Sequence, residues 1–416
     1  MRAGDLGARL MADPAIREDP FPYYEQMRDR GRLARSELAL ISAHHDVCTA
    51  VLRSPDFGQI RPDQLPWLIR LGVKIGGRAV LGPVEPPSML TADPPDHTRY
   101  RKLVTRAFSA RAIAALRSRV EEIAEELLQE IAGSTPDTDD GLVDLVGRYA
   151  SLLPATVIAE MLGAPVSMRR QFLDWGAGAS LSLDIGLSYR DFRRSERDLA
   201  ALHQWMLGHF AEIRRDPGDD LLSTLVRVHD EDGELSTDEL SSLAMLLLAA
   251  GFETTVNLIG NGAVLLLRHP DQLGLLQAQP QVWANAVEEI LRFDSPVQRT
   301  GRVAVRDTEV AGFPVRAGSL IILLLGGANR DPAVFPDPHR FDVARASAGE
   351  NLAFSSGIHY CIGAALARVE GEVGLRTLFR RFPQLALSGP PHRRPTRVLR
   401  GYDRIPVSLS RATLPA

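Results

Sequence analysis

The longest regular pattern in the sequence is helical: it covers residues 236–268 and is stopped by Pro270. Ser236 and Glu239 form the Ser-x-x-Glu capping box that favours the start of such a helix. At a rise of about 1.5 Å per residue, the helix would be about 50 Å long and would cross the whole molecule. Its most apolar part, Leu243 to Phe252, is about half as long as the roughly 18 residues that span a bilayer. We therefore predict a buried helix rather than a membrane anchor.

The rest of the chain gives no sign of a division into domains. It contains no long linker, repeat or low-complexity tract. The polar breaks are short enough to be loops between helices, and they cover residues 133–141, 214–220 and 229–234. We predict a single large domain over residues 1–416, with an N-terminal tail over about residues 1–19.

The periodicity of apolar residues predicts a mainly α fold with a small β region. Helical spacing of Ala, Leu, Arg and Glu dominates between about residues 100 and 290. Strand patterns are confined to residues 37–42 and 303–325. The prolines of residues 329–342 then exclude regular structure over a stretch that is long for a loop inside a compact domain.

Composition excludes several classes of function. The chain has 48 Lys and Arg against 52 Asp and Glu, and 45% of its residues are hydrophobic, which supports a packed core. The net charge of −4 supplies no field that would attract nucleic acid, so we predict no such partner. The first 20 residues lack the apolar core of a signal peptide, and Cys48 and Cys361 are the only cysteines. We predict a cytoplasmic protein without a membrane anchor or a disulfide framework.

The densest chemical signal is the segment FSSGIHYCIG, which begins at Phe354, ends at Gly363 and leads into a helical pattern. Its Cys361 lies at a helix entrance, where backbone N–H groups and the helix dipole favour a metal-binding thiolate over a thiol. Gly357 and Gly363 have no side chain that would keep a flat ligand away. Phe354 could screen the sulfur from water, and His359 could donate to an acidic group of that ligand. For an isolated cysteine, an inert buried thiol would be the better interpretation.

The pattern Phe-x-x-Gly-x-His-x-Cys-x-Gly resembles the haem-binding loop of bacterial soluble cytochrome P450 enzymes, whose cysteine thiolate ligates haem iron. The resemblance implies a cytochrome P450 fold, haem b as cofactor, residues 354–363 as the proximal cysteine loop and Cys361 as the metal ligand. Ser356 stands where Gly is usual, Tyr360 where Phe is common and Ile362 where Leu is common. These small changes leave ligation intact, and Ser356 and Tyr360 are the two that can alter hydrogen bonding near the sulfur.

A Glu-x-x-Arg pair, Glu289 and Arg292, precedes the strand patterns and the cysteine. Alone it would be an exposed ion pair worth roughly a few tenths of a kcal/mol. Its place in the chain matches the family's core ion network, in which an arginine of the long loop joins the pair. Arg340, in DPHRF, matches that third position. The resemblance therefore implies a buried triad that holds the loop in place.

Midway along the long helix stands the sequence AGFETT, residues 250–255. A tight helix crossing with a polar rim would explain it equally well. With the cysteine loop in the same chain, it resembles the family's oxygen-activation segment, with Glu253 as the acid and Thr254 as the alcohol. The Thr254 hydroxyl can bond back to the carbonyl of Ala250, which would open the helix and admit water.

Four positions match the family's contacts to the haem propionates. His97 and Arg101 are spaced i, i+4, so they share one helix face and can bind one anion together, and Pro94 and Pro95 mark where that helix can begin. Arg302, in RVAVRD, matches a second donor, for which a solvated surface cation is the alternative. Together with His359 of the cysteine loop, these residues supply donors for two carboxylates.

The resemblance implies a monooxygenase that inserts one atom of O2 into a hydrophobic molecule by hydroxylation or epoxidation and reduces the other atom to water. The sequence shows no flavin, nicotinamide or iron–sulfur segment, so we expect a ferredoxin and a ferredoxin reductase as electron donors. An acidic carrier would dock on a basic patch, for which the candidates are Arg106, Arg111, Arg368 and Arg376.

The substrate pocket is the part that the sequence defines least. Candidate walls, by position in the family, are Trp67, Leu90, Leu183, Leu247, Ala250, Val297 and Tyr402. Most are apolar, which favours a polyketide, terpenoid, steroid or fatty-acid-like substrate of secondary metabolism, although any of them could equally belong to the core.

Three other functions stay open at this point. One is a haem-thiolate isomerase or peroxygenase that needs no redox partner, and a second is a non-enzymatic haem-binding sensor. The third is an enzyme with Cys361 as nucleophile, for which no oxyanion-hole motif is visible and His359 is too near in sequence to be the obvious base.

Overall fold

Helices dominate the computed structural model, which describes residues 7, 9–10, 13–37, 39–60, 88–105, 108–133, 137, 142–184, 188–218, 220–232 and 235–409. The α-helices are α1 Pro14–Glu18, α2 Phe21–Asp29, α3 His45–Arg53, α4 Asp96–Thr105, α5 Ala110–Gly133, α6 Leu152–Met161, α7 Arg169–Leu181, α8 Tyr189–Arg215, α9 Leu221–Asp232, α10 Thr237–Arg268, α11 Pro270–Ala278, α12 Trp283–Phe293, α13 Leu325–Ala328 and α14 Ala364–Arg381. The predicted fold class, mainly α with a small β region, is confirmed.

The strands are short and form small sheets. They are β1 Ala34–Arg35, β2 Leu40–Ser42, β3 Phe57–Gly58, β4 Leu142–Asp144, β5 Thr300–Ala304, β6 Thr308–Val310, β7 Phe313–Val315, β8 Leu320–Leu323, β9 Ala386–Leu387, β10 His392–Arg393, β11 Tyr402–Arg404 and β12 Pro406–Ser408. The largest sheet has the order β1-β2-β8-β5-β3. In it β2 runs parallel to β8, with Leu40 opposite Ile321, and the other pairs are antiparallel.

Both predicted strand regions contribute to that sheet, through β2 and through β5 and β8. The remaining sheets have the orders β4-β12-β9, β10-β11 and β6-β7. Strands β1, β3, β4 and β9 to β12 were not predicted, because two or three residues are too few to show a period of two.

Helix α10 is the core helix that its pattern predicts. The Ser236 hydroxyl accepts from the Glu239 N–H at 3.2 Å, and the Glu239 carboxylate accepts from the Ser236 N–H at 2.7 Å, so the capping box is present. Among the described helices, α10 is long and apolar enough to cross a membrane, yet 83% of its apolar window is buried inside the protein. It packs against α6, α7, α12 and α14, which leaves no apolar face for lipid.

The N-terminal stretch is in part attached to the body. Leu10 and Ile16 are buried with Tyr23 and Tyr24 in a small apolar cluster that is separate from the main helical core. The described part of the expected tail, about residues 1–19, therefore packs against the domain.

The proline-containing segment behaves as its sequence predicts. Residues 329–347, between α13 and a short 3-10 helix, contain neither α-helix nor strand. The described residues 216–218 and 220 of the polar break at 214–220 lie between α8 and α9. Residues 229–232 were expected to be a loop but belong to α9, so this prediction was wrong for them. The rest of that break and most of the break at 133–141 lie outside the described residues.

Glu370 on α14 gives a test of the packing around this helix. Its side chain is buried, and burial raises the pKa of its carboxyl from 4.5 to about 8. Between these two pH values the folded protein keeps a proton that the unfolded chain has released, so stability falls as the pH rises. Glu370→Gln cannot ionise, so its free energy of unfolding should exceed that of the wild type by a margin that grows with pH to roughly a few kcal/mol.

Urea denaturation at about pH 5, 7 and 9 measures this margin. The exposed Glu231→Gln is the control, and its effect should not depend on pH in this range. A margin between Glu370→Gln and the wild type that stays constant with pH would contradict the prediction.

Candidate active site

The cysteine loop packs its backbone closely against α3. Gly357 has a φ of +70°, and a Cβ at this position would lie 2.2 Å from the carbonyl oxygen of Leu52. Glycine is therefore required by packing on α3, which corrects our interpretation that it makes room for a flat ligand. At Gly363, by contrast, a Cβ would meet only the Sγ of Cys361, at 3.9 Å, so that side of the sulfur is open.

Cys361 ends the loop one turn before α14. Its N–H donates to the carbonyl of Phe354 at 3.0 Å, and the residue has exposed surface although protein atoms surround and desolvate its thiol. The protein that surrounds it raises the pKa of the thiol, although the Gly363 N–H and the charges of Arg101 and Arg368 act in the opposite direction. We expected the helix entrance to lower this pKa, and burial outweighs that effect in the protein alone. A metal ion that binds the sulfur displaces the proton.

Two of the three departures from the family pattern gain a hydrogen-bond partner. Ser356 is buried, and its hydroxyl accepts from the Arg53 Nε at 2.8 Å. The Tyr360 hydroxyl accepts from Arg368 at 3.1 Å, and the guanidinium of Arg368 lies 4.6 Å from the centre of the Phe354 ring. The Arg53 contact was not predicted, since nothing near Arg53 in the sequence points to the loop.

Four basic side chains meet beside the cysteine loop. The rings of His97 and His359 lie 4.3 Å apart, and the Nε2 atom of each is buried without a hydrogen-bond partner among the described residues. Burial, followed by the charges of Arg302, His97 and Arg101, lowers the pKa of His359 to about 3. The ring of His359 thus belongs to this cluster, which weakens its case as a base for Cys361 as a nucleophile.

Arg302 lies in the same cluster and is only 4% exposed. Its Nη1 donates to the Gly301 carbonyl at 2.8 Å and to the Thr300 hydroxyl at 3.2 Å. Burial lowers its pKa to about 10, and the charge of Asp93 acts in the opposite direction. This burial answers the alternative of a solvated surface cation. A dense group of cations and orphaned ring nitrogens is an environment that binds carboxylates.

The acid and the alcohol of α10 are placed differently from each other. The Thr254 hydroxyl donates to the Ala250 carbonyl at 2.7 Å, as predicted, but residues 237–268 remain one α-helix, so the expected opening of the helix is not observed. Glu253 is 2% exposed, and burial raises the pKa of its carboxyl.

Arg394 is the partner of Glu253 that the sequence did not reveal. Its Nε lies 2.9 Å from Oε1 of Glu253 and 3.2 Å from the carbonyl of Tyr402. The Oε2 atom of Glu253 is buried without a hydrogen-bond partner among the described residues. The charge of Arg394 opposes the rise in the pKa of Glu253 without cancelling it. No local pattern could show a pairing between residues so far apart in the chain.

The buried ion network contains Glu289, Arg292 and Arg345, and we call it the Glu289 network. Arg292 donates from Nε and Nη2 to the two carboxylate oxygens of Glu289 at 2.6 and 2.8 Å, and the Nε of Arg345 lies 3.2 Å from the same carboxylate. The prediction that Arg340 is the third member was wrong. Its side chain is 67% exposed and lies 3.7 Å from Asp342, while its backbone carbonyl accepts from Arg292 and Arg345.

The candidate pocket walls lie in different environments. On α10, Leu247 is buried two turns before Thr254, and Ala250 is half-buried one turn before it. Val297 is half-buried and forms a β-bridge with Leu399. That these three residues line the substrate pocket stays a prediction.

The other wall candidates are less closely tied to α10. Leu90 is 41% exposed, and Leu183 is half-buried. Tyr402 packs in the main core beneath Arg393, whose guanidinium lies 3.9 Å from its ring centre. Trp67 lies outside the described residues.

The expected basic patch carries less positive charge than its arginines suggest. Arg368 pairs with Glu288, and Arg376 lies 2.9 Å from Glu121. Arg111 is exposed, and Arg106 lies outside the described residues. Two of the three described arginines are therefore partly neutralised.

Comparison with known proteins agrees with this geometry. The family model "Cytochrome P450" matches residues 279–400. The chain is 48% identical over 420 residues to the putative cytochrome P450 140 of Mycobacterium bovis, across 99% of this chain and 94% of that one. It is 46% identical over 329 residues to the 6-deoxyerythronolide B hydroxylase of Saccharopolyspora erythraea, across 77% of this chain and 78% of the relative.

Among solved structures, the bacillaene polyketide synthase cytochrome P450 PksS of Bacillus subtilis 168 matches with a TM-score of 0.83 at 33% identity, over 96% of this chain and 100% of that one. A mainly helical domain with these relatives is an oxidoreductase of the monooxygenase class. The chain belongs to the cytochrome P450 family.

The residues present fit the haem of that family. Cys361 is exposed with an open side at Gly363, where a flat ligand can approach the sulfur. The orphaned Nε2 atoms of His97 and His359, next to the buried Arg302, match the two acidic groups of the porphyrin.

The two arginines of the long loop allow a matched test of the Glu289 network. Arg345→Ala removes a cation from a carboxylate that is fully buried, so we expect a loss of roughly 3 kcal/mol in the free energy of unfolding. Arg340→Ala removes an exposed side chain and should cost about 0.5 kcal/mol or less. Urea denaturation of both variants measures the difference. Equal losses in the free energy of unfolding would contradict the assignment of Arg345, rather than Arg340, as the third member of the network.

Proposed function

We propose that this monooxygenase holds haem b through Cys361 and hydroxylates or epoxidises a hydrophobic small molecule. The observation that carries the proposal is the orphaned pair of ring nitrogens on His97 and His359, which lie beside the loop that carries the only exposed cysteine of the described chain. The residues proposed to hold the haem are Cys361 on the metal, His97, Arg101, Arg302 and His359 on the propionates, and Phe354 and Gly363 beside the sulfur. When bound, the haem supplies the binding and reduction of O2.

In this proposal, Glu253 and Thr254 of α10 transfer protons. Burial raises the pKa of Glu253, so its free Oε2 atom can hold a proton more readily than an exposed carboxylate would. Thr254 keeps its hydroxyl on the Ala250 carbonyl, where the oxygen can still accept one hydrogen bond from water or substrate. We infer that Glu253 and Thr254 together deliver protons to the oxygen that is reduced to water.

A hydrophobic substrate is supported by the apolar side chains near this pair. Leu247 and Ala250 stand on the same helix as Glu253 and Thr254, and Val297 follows α12. The relative named 6-deoxyerythronolide B hydroxylase favours a polyketide of secondary metabolism among the polyketide, terpenoid, steroid and fatty-acid-like molecules. A separate ferredoxin and its reductase would supply electrons, and the cytoplasm is the compartment that we propose.

The ligand assignment is tested by replacing each cysteine in turn. Cys361→Ala should lose the reduced carbon-monoxide absorption band near about 450 nm that thiolate ligation gives this family. The control is Cys48→Ala, which removes the buried cysteine of α3 and should keep the band. A band that persists in Cys361→Ala would refute the assignment of the metal ligand.

The proton role is tested with two neighbouring threonines that make the same kind of bond. Thr254 and Thr255 each donate to the carbonyl four residues earlier, at 2.7 and 3.0 Å, but Thr255 is buried in the core. Thr254→Ala should keep haem and its carbon-monoxide band while the share of electrons lost as hydrogen peroxide rises severalfold. Thr255→Ala should leave that share unchanged.

The measurement is the ratio of peroxide and product to reductant consumed, with the ferredoxin system present. Unchanged coupling in Thr254→Ala would remove Thr254 from the mechanism. Turnover by the wild type with peroxide alone, and none with O2 and a reductant, would favour the peroxygenase alternative.

A further inference from the structure

A cleft outside the haem site is lined by an unusual number of arginines. It lies between α1 and the C-terminal residues 393–401, and we call it the arginine cleft. Among the described residues, its basic lining residues are Arg17, Arg299, Arg393, Arg394, Arg397 and Arg400, and its acidic lining residue is Asp13. Asp13 already lies 3.4 Å from Arg9, which partly neutralises the charge of the Asp13 carboxylate. Arg393, Arg394 and Arg400 have carboxylate partners, so the charge of the cleft that is open to a ligand has to come from its other arginines.

Arg299 is the member of this group whose charge is not balanced. It is only 5% exposed, and its Nη1 donates to the carbonyl of Leu10 at 3.1 Å. Its Nε is buried with no hydrogen-bond partner, and no carboxylate of the described residues lies within ion-pair distance of its guanidinium. Buried arginines in folded proteins are normally paired, because an uncompensated buried charge is strongly destabilising.

The acids nearest the arginine cleft are engaged elsewhere. Asp294 is shared by Arg393 and Arg400, at 2.6 and 2.8 Å, and Glu253 is held by Arg394. The carboxylate of Asp184 accepts the backbone N–H groups of two residues of the 393–401 segment at 2.7 to 2.9 Å. Asp294 and Asp184 are thus engaged with other groups, and none of the described carboxylates forms an ion pair with Arg299.

We propose that the arginine cleft binds a small oxyanion, of the phosphate, sulfate or carboxylate class, between Arg299 and Arg17 at its rim. The planar guanidinium of Arg299 would present its free Nε–H together with a second N–H to two oxygens of the anion, which is the fork geometry that arginine uses for such groups. The bound anion would balance the buried charge. This site is separate from the cysteine loop and does not depend on the proposed function.

The test uses inorganic phosphate and the full chain. Phosphate at about 10 mM should raise the thermal midpoint of the wild type by about 2 °C or more relative to sodium chloride at the same ionic strength. Arg299→Gln should lose this shift. The control is Arg227→Gln, which removes an exposed arginine of α9 and should keep the shift.

The order of stabilities gives a second signature that does not depend on the size of the shift. In chloride alone, Arg299→Gln should be at least as stable as the wild type, because it removes an uncompensated buried charge. In phosphate that order should reverse. Arg17→Gln, which alters only the rim, should weaken phosphate binding at least about threefold in isothermal titration.

Two results would overturn the proposal. One is the absence of saturable phosphate binding to the wild type at concentrations up to about 20 mM in isothermal titration. The other is a phosphate shift that Arg299→Gln and Arg227→Gln retain equally, since the anion would then bind elsewhere. Because the wild-type titration is decisive alone, the proposal stays testable even if Arg299→Gln does not fold.

Discussion

The Glu289 network is the interaction on which the shape of the active site depends. Arg292 is fully buried, and besides Glu289 it donates to the carbonyls of Asn329, Pro338 and Arg340 at 3.0 to 3.2 Å. A desolvated guanidinium must have its N–H groups satisfied, so these three carbonyls have to converge on α12. The long proline-containing segment is thus folded by the needs of one cation rather than by a backbone ladder of its own.

That constraint reaches the cysteine loop through Asn329. Its side chain accepts the Leu352 N–H at 2.6 Å and donates to the Ser295 hydroxyl at 2.7 Å. Leu352 stands two residues before Phe354, whose carbonyl accepts the N–H of Cys361. Buried hydrogen bonds, together with the short stretch of chain from Leu352 to Phe354, therefore connect the ion network to Cys361. On the opposite side, the close contact of Gly357 with Leu52 fixes the loop on α3.

Patterns that are complete within a few residues were predictable, and those that need a distant partner were not. The capping box of α10 and the bond from Thr254 to Ala250 involve residues three or four apart, so their geometry follows from the helix itself. Arg340 and Arg345 both belong to a segment without regular structure. Without a period to say which side chain turns inward, the sequence alone could not choose between them.

The same limit applies to the electrostatics of the site. The helix entrance at Cys361 is a local feature and predicts a lowered pKa, whereas burial is a property of the whole fold and raises it. The partner of Glu253 comes from the C-terminal Arg394, on a segment that no motif marks. The fold class and the identity of the metal ligand are local signals, and the balance of charge around them is a tertiary one.

The buried charged side chains of this protein are fully paired, half paired or unpaired, and the degree of pairing indicates the role of each side chain. Glu289 pairs with two arginines and accepts the N–H of Asp342, so its network is closed and serves architecture. Glu253 has one oxygen held by Arg394 and the other free, which is the half-satisfied condition that a proton carrier needs. Arg302 and Arg299 donate to neutral oxygen atoms but form no ion pair among the described residues, and an anion from outside the chain would compensate the charge of a cation in that state. For Arg302 the proposed haem propionates have that chemistry, and the same physical reasoning applied to Arg299 leads to the anion site proposed in the arginine cleft.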